Sequence, residues 1–501
     1  MNTNDDADTA NNKDITLCRN RRHHSYNRDS SIKPKQIADS TPLASTTVAE
    51  QNRTKGICSL PTELMVEIFT QCASQECPSS RRFMFMRCRI SRVCRHWHAI
   101  IHSLESFWTV VPLSICSTVT SIGHFLDTNV TGTFAVAIYS GDTSLQNFSR
   151  GKLGGERLMR LLMDHSHRWH TLEIVAVHRS FVLQVVQLLD SVSIPNLRSI
   201  TFHCNDTIDA AVIPITSVLG SRTHQLETLE LTRLSVGRLL SVEMPRLKEL
   251  VLADIAFAAW PTLADMCNLL RFSPLMERLE LRGIGFAFPT SFQFILDVPL
   301  RMTRMRKLAI SFDNSIAISS QSIYAFLICV SFPTLSTLHL RFATNDDMQG
   351  FAARNLALCA PNVEFSGMFS DTNAIRSMLS RMDQVVQLDV TSCILPDLLG
   401  VLADSFRTPM GSLDLYMPKL TRLIVSSRFW SVIHSVLVGR LSRGFMLPEL
   451  VVVKDTDLTA SHYLPTETLA YTHELTSMVS NLYWSRRKRV RPTHPAVYIL
   501  A

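Results

Sequence analysis

The sequence predicts an α/β fold in which a few N-terminal helices precede a long array of strand–helix units. Two observations lead to this prediction. Apolar residues between positions 60 and 108 recur at the spacing of amphipathic helices. From about residue 167 a segment of the form Pro-x-Leu-x-x-Leu-x-Leu returns along the chain. Alternating strands and helices favour right-handed βα units around a parallel sheet, so we expect an irregular solenoid, or horseshoe, behind the helices.

Composition divides the 501-residue chain into four regions. Residues 1–55 are polar, with few aromatic residues and no periodicity, and we expect them to be disordered. Residues 56–110 hold the helical pattern, residues 111–484 the recurring segments, and residues 485–501 a basic tail. A hydrophobic content of 46% with 19% charged residues is typical of a folded, soluble chain.

The first helical segment begins near Leu60. Leu60, Leu64 and Ile68 recur every four residues, which places them on one face of a helix. After an insert, Val93 and Trp97 repeat this spacing. About three short helices in about fifty residues cannot bury a sufficient core alone. The segment therefore needs a binding partner or the domain behind it, and a helical hairpin that caps a larger core is the alternative.

These residues resemble an F-box. The resemblance has two halves, Leu60-Pro61-x-Glu63-Leu64-x-x-x-Ile68-Phe69 and Ser91-x-Val93-Cys94-x-x-Trp97. It implies binding to the small Skp-type adaptor of a cullin-RING ubiquitin ligase, and through the adaptor to a cullin. The positions that match the adaptor-contacting motif are Leu60, Pro61, Leu64, Ile68, Val93 and Trp97. The long insert at residues 73–88 is typical of fungal members of the family, and Glu105-Ser106 departs from the Pro-x that often precedes the final Trp.

The recurring segments come with and without a leading proline. Those with proline are IPNLRSITF (194–202), MPRLKELVL (244–252), SPLMERLEL (273–281), FPTLSTLHL (332–340), MPKLTRLIV (417–425) and LPELVVV (447–453). Those without are HRWHTLEI (167–174), HQLETLEL (224–231), MRKLAI (305–310) and VVQLDV (385–390). Their spacing is typical of leucine-rich repeats, in which each unit has one strand and one helix or turn. A doubly wound sheet is the weaker alternative, because no glycine-rich phosphate loop follows any of these segments.

Helices are expected between the strands. The predicted helices are Glu156–His165, Phe181–Val192, Leu263–Phe272, Gln321–Phe332, Ala374–Met382, Phe429–Leu441 and a last one at Glu467–Trp484. Two copies of the segment end in Asn205 and Cys393, side chains that in leucine-rich repeats bond to the backbone of a neighbouring turn.

Catalytic motifs are absent from the sequence. It contains no GxSxG, HExxH or GxxxxGK[ST], and no GxGxxG after a predicted strand. We therefore expect no enzyme activity, no catalytic residues and no cofactor. The cysteines and histidines between Cys72 and His98 could bind zinc, but their spacing fits no common zinc motif. Buried structural cysteines are the simpler explanation, and we predict no metal site.

Target-binding residues are expected on the concave face of the solenoid, at strand positions between the apolar ones. Arg282 and Arg341 lie two repeats apart, which corresponds to about 10 Å. With Ser311 between them and His339 beside them, they could clamp a phosphate or carboxylate on a target. His203, on an earlier strand, completes the predicted set.

The C-terminal run from Ser485 to Pro492 carries five of the positive charges in a chain of net charge +7. It is either a nuclear import signal or a solvated tail. No interleaved aromatic residues support nucleic-acid binding. No apolar run is long enough to span a bilayer, and the cysteines form no CxxC pairs. We expect a cytoplasmic or nuclear protein, or both, with no membrane contact.

These expectations combine into one function. The chain would be a substrate-recognition subunit of an SCF-type ubiquitin ligase, whose F-box binds the adaptor and whose repeats bind a target protein. The alternative is a leucine-rich-repeat scaffold or regulator that works without the ligase, for example on a small GTPase.

Overall fold

The computed structural model describes the chain between residues 60 and 486, with gaps. The described residues are 60–75, 86, 89–104, 110–114, 123, 126, 132–140, 160–176, 182, 192–204, 225–234, 243–255, 260–287, 299–312, 317–342, 348, 349, 351, 360–367, 371–394, 396–407, 413–454 and 478–486. The expectations for residues 1–55, for Asn205 and for the tail beyond Arg486 lie outside them. The chain divides into two compact units, Met1–Pro61 and Thr62–Ala501, and only Leu60 and Pro61 of the first are described.

The second unit begins with two helices, α1 (Thr62–Gln75) and α2 (Arg95–Ser103), and the backbone is also helical at residues 86 and 89–91. The ring of Phe69 on α1 meets Trp97 on α2 edge-on, with centroids 5.0 Å apart. The side chains that these helices bury are Met65, Phe69, Ile100 and Ile101. Apolar burial of about 1.5–3 kcal/mol for each large side chain stabilises this small core.

A large parallel sheet follows, together with two small sheets. The strands are β1 (Val110–Ser114), β2 (Phe134–Ser140), β3 (Trp169–Ala176), β4 (Ser199–Cys204), β5 (Thr228–Thr232), β6 (Glu249–Ala253), β7 (Arg278–Arg282), β8 (Leu300–Arg301), β9 (Lys307–Phe312), β10 (Val330–Ser331), β11 (Thr337–Phe342), β12 (Asn362–Gly367), β13 (Gln387–Cys393), β14 (Ser405–Arg407), β15 (Leu413–Leu415), β16 (Arg422–Ser426), β17 (Leu447–Lys454) and β18 (Val479–Arg486). The fourteen-stranded sheet has the order β1-β2-β3-β4-β5-β6-β7-β9-β11-β12-β13-β16-β17-β18. Its strands therefore follow the order of the chain, without the reversal that a doubly wound sheet requires.

The ten recurring segments all form strands of this sheet, as predicted. The sequence did not predict β1, β2, β12 and β18. The last predicted helix is wrong over Val479–Trp484, because these residues belong to β18. There Leu482 pairs with Leu450 and Trp484 with Val452, so the two-residue period of a strand prevails over the apparent helical spacing.

One row of aliphatic side chains forms the centre of the core. Each member stands in register with the next strand, and each is at most 2% exposed. The row consists of Leu172, Ile200, Leu229, Leu250, Leu279, Leu308, Leu338, Val363, Leu388, Leu423 and Leu450. Because side chains alternate along a strand, this buried row fixes the residues on either side of it to the opposite face.

The leading proline of the recurring segment lies in a tight turn. In the copy at 194–197 the Leu197 N–H donates to the Ile194 carbonyl at 3.3 Å, and at 244–247 the Leu247 N–H donates to the Met244 carbonyl at 3.0 Å. Proline therefore occupies the second turn position, for which its fixed φ is suited.

In the described part of the chain, five helices lie among the later strands: α3 (Leu263–Arg271), α4 (Ala317–Cys329), α5 (Thr372–Leu379), α6 (Asp397–Ala403) and α7 (Trp430–Leu441). The predictions for α3, α5 and α7 are confirmed to within three residues at each end. The prediction for α4 is displaced. That helix begins at Ala317 and ends at Cys329, because Val330 and Ser331 pair instead with β8. The sequence did not predict α6 or the antiparallel pair β14–β15.

Candidate functional site

Three large apolar side chains on the N-terminal helical segment face solvent. Leu64 is 52% exposed and Ile68, one turn further along α1, is 38% exposed. Val93, just before α2, is 55% exposed. We refer to Leu64, Ile68 and Val93 as the helical surface. Since α1 turns Met65 and Phe69 inward, Leu64 and Ile68 are not needed for its own core.

Trp97 has a different position from the helical surface. It is half-buried against Phe69, and its indole Nε1 is buried without a hydrogen-bond partner. Trp97 therefore joins α1 to α2, and its predicted contact with an adaptor stays a prediction. Of the other two predicted positions, Leu60 is half-buried and Pro61 is exposed.

The cysteines and histidines of this segment do not assemble into a metal site in the described part of the chain. Cys94 is the N-cap of α2, where its Sγ accepts from the Trp97 N–H at 3.5 Å. His98 stacks on His102 with ring centroids 4.0 Å apart. Cys77 and Cys88 lie outside the described residues. Among those that are described, no three His, Cys, Asp or Glu side chains are placed to hold one metal ion.

The register of the large sheet aligns four of the predicted target-binding residues. Arg282 on β7, Ser311 on β9 and Arg341 on β11 stand in one row. Two strand steps of about 4.8 Å separate the arginines, as expected. His339 lies two residues before Arg341, on the same face of β11. His203 on β4 stands in the same row, through Thr232 and Ala253, but it lies three strand steps, or about 14 Å, from Arg282.

Arg282 is engaged within its own strand. Its guanidinium contacts the Glu280 carboxylate at 2.5 Å, and Arg278 reaches the other Glu280 oxygen at 2.8 Å. Arg278 also bonds to Glu249 at 3.2 Å. Two arginines and two carboxylates thus neutralise one another on β6 and β7. Of the remaining residues, Arg341 is exposed while Ser311 is buried.

The pKa of Glu280 is shifted in the direction opposite to the effect of burial. Burial raises the pKa of its carboxyl group, but the charges and hydrogen bonds of Arg282 and Arg278 outweigh this effect and hold the pKa below its usual 4.5. The carboxylate is therefore ionised and paired at neutral pH. This arrangement leaves little charge on β7 for a ligand.

Further along the sheet, one row of side chains crosses six strands without a break in register. We refer to it as the middle row. It consists of His339, Glu364, Asp389, Ile424, Val451 and Tyr483. Its first half is polar, with two adjacent carboxylates, and its second half is apolar and ends in Tyr483, which is 50% exposed.

Glu364 and Tyr483 are not among the residues predicted from the sequence, because the pattern of recurring segments did not predict β12 and β18. A signal for β12 was present. Pro361-Asn362-Val363-x-Phe365 repeats the proline and the alternating apolar residues of the other copies, 25 residues after Leu338. Val363 and Phe365 stand there where most copies have leucine.

Comparison with known protein families identifies the N-terminal segment. Residues 57–111 match the family described as F-box-like. The matched range contains α1, α2 and the helical surface. Among curated proteins, no match to the chain is found.

Proposed function

We propose that this chain is the substrate-recognition subunit of an SCF-type ubiquitin ligase. Its F-box segment would bind the Skp-type adaptor, and its sheet domain would bind a target protein. The observation that carries the proposal is the F-box-like match over residues 57–111. F-box domains generally bind Skp-type adaptors, and the segment presents Leu64, Ile68 and Val93 to solvent.

The helical surface is suited to a protein partner. Each of its side chains would contribute about 1.5–3 kcal/mol if a partner buried it completely. Apolar anchors of this kind dominate the binding energy of many interfaces.

The sheet domain would be a leucine-rich-repeat-like solenoid. Its strands in chain order, its continuous aliphatic row and its recurring proline turn support this assignment. It would hold the target near a ubiquitin-charged enzyme bound elsewhere in the complex. This proximity would raise the effective concentration of the target at that enzyme. The chain itself would need no cofactor and perform no catalysis, and it would work in the cytoplasm, the nucleus or both. None of the helices in the described residues has the length and apolar content of a bilayer span.

Adaptor capture by the full-length chain tests the proposal. Leu64→Asp and Val93→Asp would each place a charge in the interface, and we expect binding to weaken by about a hundredfold, corresponding to about 2.7 kcal/mol. Ile328→Asp and Ile394→Asp are matched controls, since these side chains are likewise 52% and 55% exposed. They belong to the sheet domain, where Ile328 lies on α4 and Ile394 directly follows β13.

The controls should bind the adaptor as the wild type does. A wild-type chain that fails to capture the adaptor, or an equal loss in all four variants, would contradict the proposal.

A further inference from the structure

The middle row differs from the rest of its face in how its charges are paired. On β7, Glu280 is enclosed by Arg278 and Arg282. On β12 and β13, Glu364 and Asp389 stand side by side in register, one strand step or about 4.8 Å apart. Like charges directly opposite each other on neighbouring strands are destabilising. A cation placed between them would remove that repulsion.

The two carboxylates have few partners in the described part of the chain. The Nε2 atom of His339 lies 3.7 Å from Glu364 and also 3.2 Å from the Ser366 hydroxyl. Asp389 accepts from the N–H and the hydroxyl of Thr391 at 2.9 and 2.8 Å, both on the same oxygen. In these residues no Lys or Arg forms an ion pair with either carboxylate. Among the described residues, the pair is therefore oriented but has no permanent cation to neutralise it.

The apolar half of the middle row begins on the next strand. Ile424 pairs with Asp389, Val451 follows it, and Tyr483 ends the row. Val451 is 7% exposed and provides a buried apolar surface, while Tyr483, its partner on the neighbouring strand, is half exposed. On the same strands, Arg422 and Glu449 form an ion pair at 3.3 Å, so their charges are already paired. An exposed tyrosine beside buried aliphatic side chains is a common type of anchor in protein interfaces.

We propose that the middle row from Glu364 to Tyr483 docks a segment of the target protein that carries a basic residue and a large apolar residue. Charge complementarity selects a Lys or Arg for Glu364 and Asp389, and the apolar residue would pack on Val451 and Tyr483. Three strand steps separate Asp389 from Tyr483, which is about 14 Å. An extended peptide crosses this distance in about four residues. The inference rests on the proposed function only in taking the partner to be a target protein.

Selection from a library of random twelve-residue peptides, displayed on phage and panned against the immobilised full-length chain, tests this inference. We expect the selected peptides to be enriched in Lys or Arg about four positions from Leu, Phe or Trp. Selection of acidic peptides, or of none, would overturn the proposal.

Variants then test whether the selected peptides bind at the middle row. The double variant Glu364→Gln/Asp389→Asn and the single variant Tyr483→Ala should each weaken binding of a selected peptide by about tenfold. The control Glu277→Gln/Asp383→Asn removes the same charge from two exposed positions outside the row and should bind normally. Equal binding by all variants would place the peptide elsewhere and refute the assignment.

Adaptor capture, measured on the same variants, separates the two proposals. All middle-row variants should retain the adaptor, while Leu64→Asp should lose the adaptor and keep the peptide. If the double variant abolishes self-association of the chain and no peptide is selected, the row is a contact between two copies and the inference is wrong.

Discussion

The thiol of Cys393 donates a hydrogen bond to the main-chain carbonyl oxygen of Phe365, 3.4 Å away and 28 residues earlier in the chain. Both residues are buried. This bond joins the end of β13 to β12 in addition to the backbone hydrogen bonds between the two strands, as expected for a Cys at this position. The equivalent positions in other copies hold apolar residues that cannot form such a bond, namely Leu234, Ile255 and Ile284.

Replacing Cys393 by alanine should destabilise the protein because it removes this bond. The Phe365 carbonyl would lose a partner in a buried site, so we expect the free energy of unfolding to fall by about 1–3 kcal/mol. Chemical denaturation measures the change. Cys329→Ala is the matched control, since it removes the same atoms from another buried thiol and should cost less. Equal losses would show that packing alone explains the effect.

The same thiol predicts a loss of stability at high pH. Burial, and secondarily the charge of Asp389, raise the pKa of Cys393 from 9.0 to about 12. Between these values the unfolded chain releases a proton that the folded chain keeps, so stability falls as pH rises from 9 towards 12. The limiting slope from this group is about 1.4 kcal/mol per pH unit. Denaturation at pH 8 and pH 10 should show a smaller decrease in Cys393→Ala than in the wild type, and identical decreases would contradict this explanation.

Glu280→Gln should destabilise the sheet and alter its response to acid. The substitution leaves Arg278 and Arg282 without their shared carboxylate, and we expect a cost of about 1–3 kcal/mol. Because the pKa of Glu280 is lowered in the folded state, its contribution is present above about pH 4.5 and is lost as pH falls through the folded value. The wild type should therefore lose more stability than the variant between pH 6 and pH 3, as followed by thermal unfolding.

Glu227→Gln is the control for that prediction. Glu227 contacts Lys248 at 2.7 Å, but both side chains are about a third or more exposed, and exposed ion pairs contribute less than about 1 kcal/mol. A larger loss at Glu227 than at Glu280 would show that burial does not set the strength of these pairs.

Gly367 should not tolerate a side chain. Its φ is +102°, and a Cβ there would overlap the carbonyl oxygen of Phe342 on the neighbouring strand. We expect Gly367→Ala to lower the free energy of unfolding by more than about 1 kcal/mol. Gly400→Ala is the opposite case, because Gly400 lies in α6 with open space around it. That substitution should stabilise the protein by about 0.5–1 kcal/mol, and the same sign for both variants would refute the argument.

Trp97 should act mainly through packing. Trp97→Ala removes the edge contact with Phe69 between α1 and α2, and we expect a loss of about 3 kcal/mol or more from the helical segment. Trp97→Phe keeps a ring and removes an indole N–H that has no partner, so its cost should be much smaller. Proteolysis of the helical segment, compared with adaptor capture, would show whether Trp97 contributes to binding beyond this packing.

The strands of the sheet were largely predictable because each copy contains its own pattern. Leu229 and Leu231, or Leu338 and Leu340, show the alternation within three residues, and a local turn precedes them. β18 was missed because Leu482 and Trp484 follow residues with helical spacing, and their strand state depends on pairing with β17. The end of α4 was misplaced for the same kind of reason, since Val330 is held by a distant partner on β8.

The candidate surfaces were predictable to a different extent. Alternation and parallel register suffice to align Arg282, Ser311 and Arg341. The pairing of Arg282 with Glu280 rather than with a ligand depends on side-chain geometry that spacing does not determine. That Glu364 lies beside Asp389 could be predicted only with the position of β12, which the sequence pattern showed only weakly. On α1, Leu64 and Ile68 are both exposed, and their four-residue spacing already indicates that they share one face of a helix.

The chain-order arrangement of the fourteen strands also bears on how the protein folds. No pairing in this sheet has to wait for distant parts of the chain to meet, since each strand finds its neighbour within one unit of the array. Folding can therefore begin at any adjacent pair and spread in both directions. Unfolding should be correspondingly gradual, with the outer strands lost before the middle. A fragment that stops after β11 would still contain the neighbours of every earlier strand, including the pair β8 and β10, and only β11 would lack its next partner, β12.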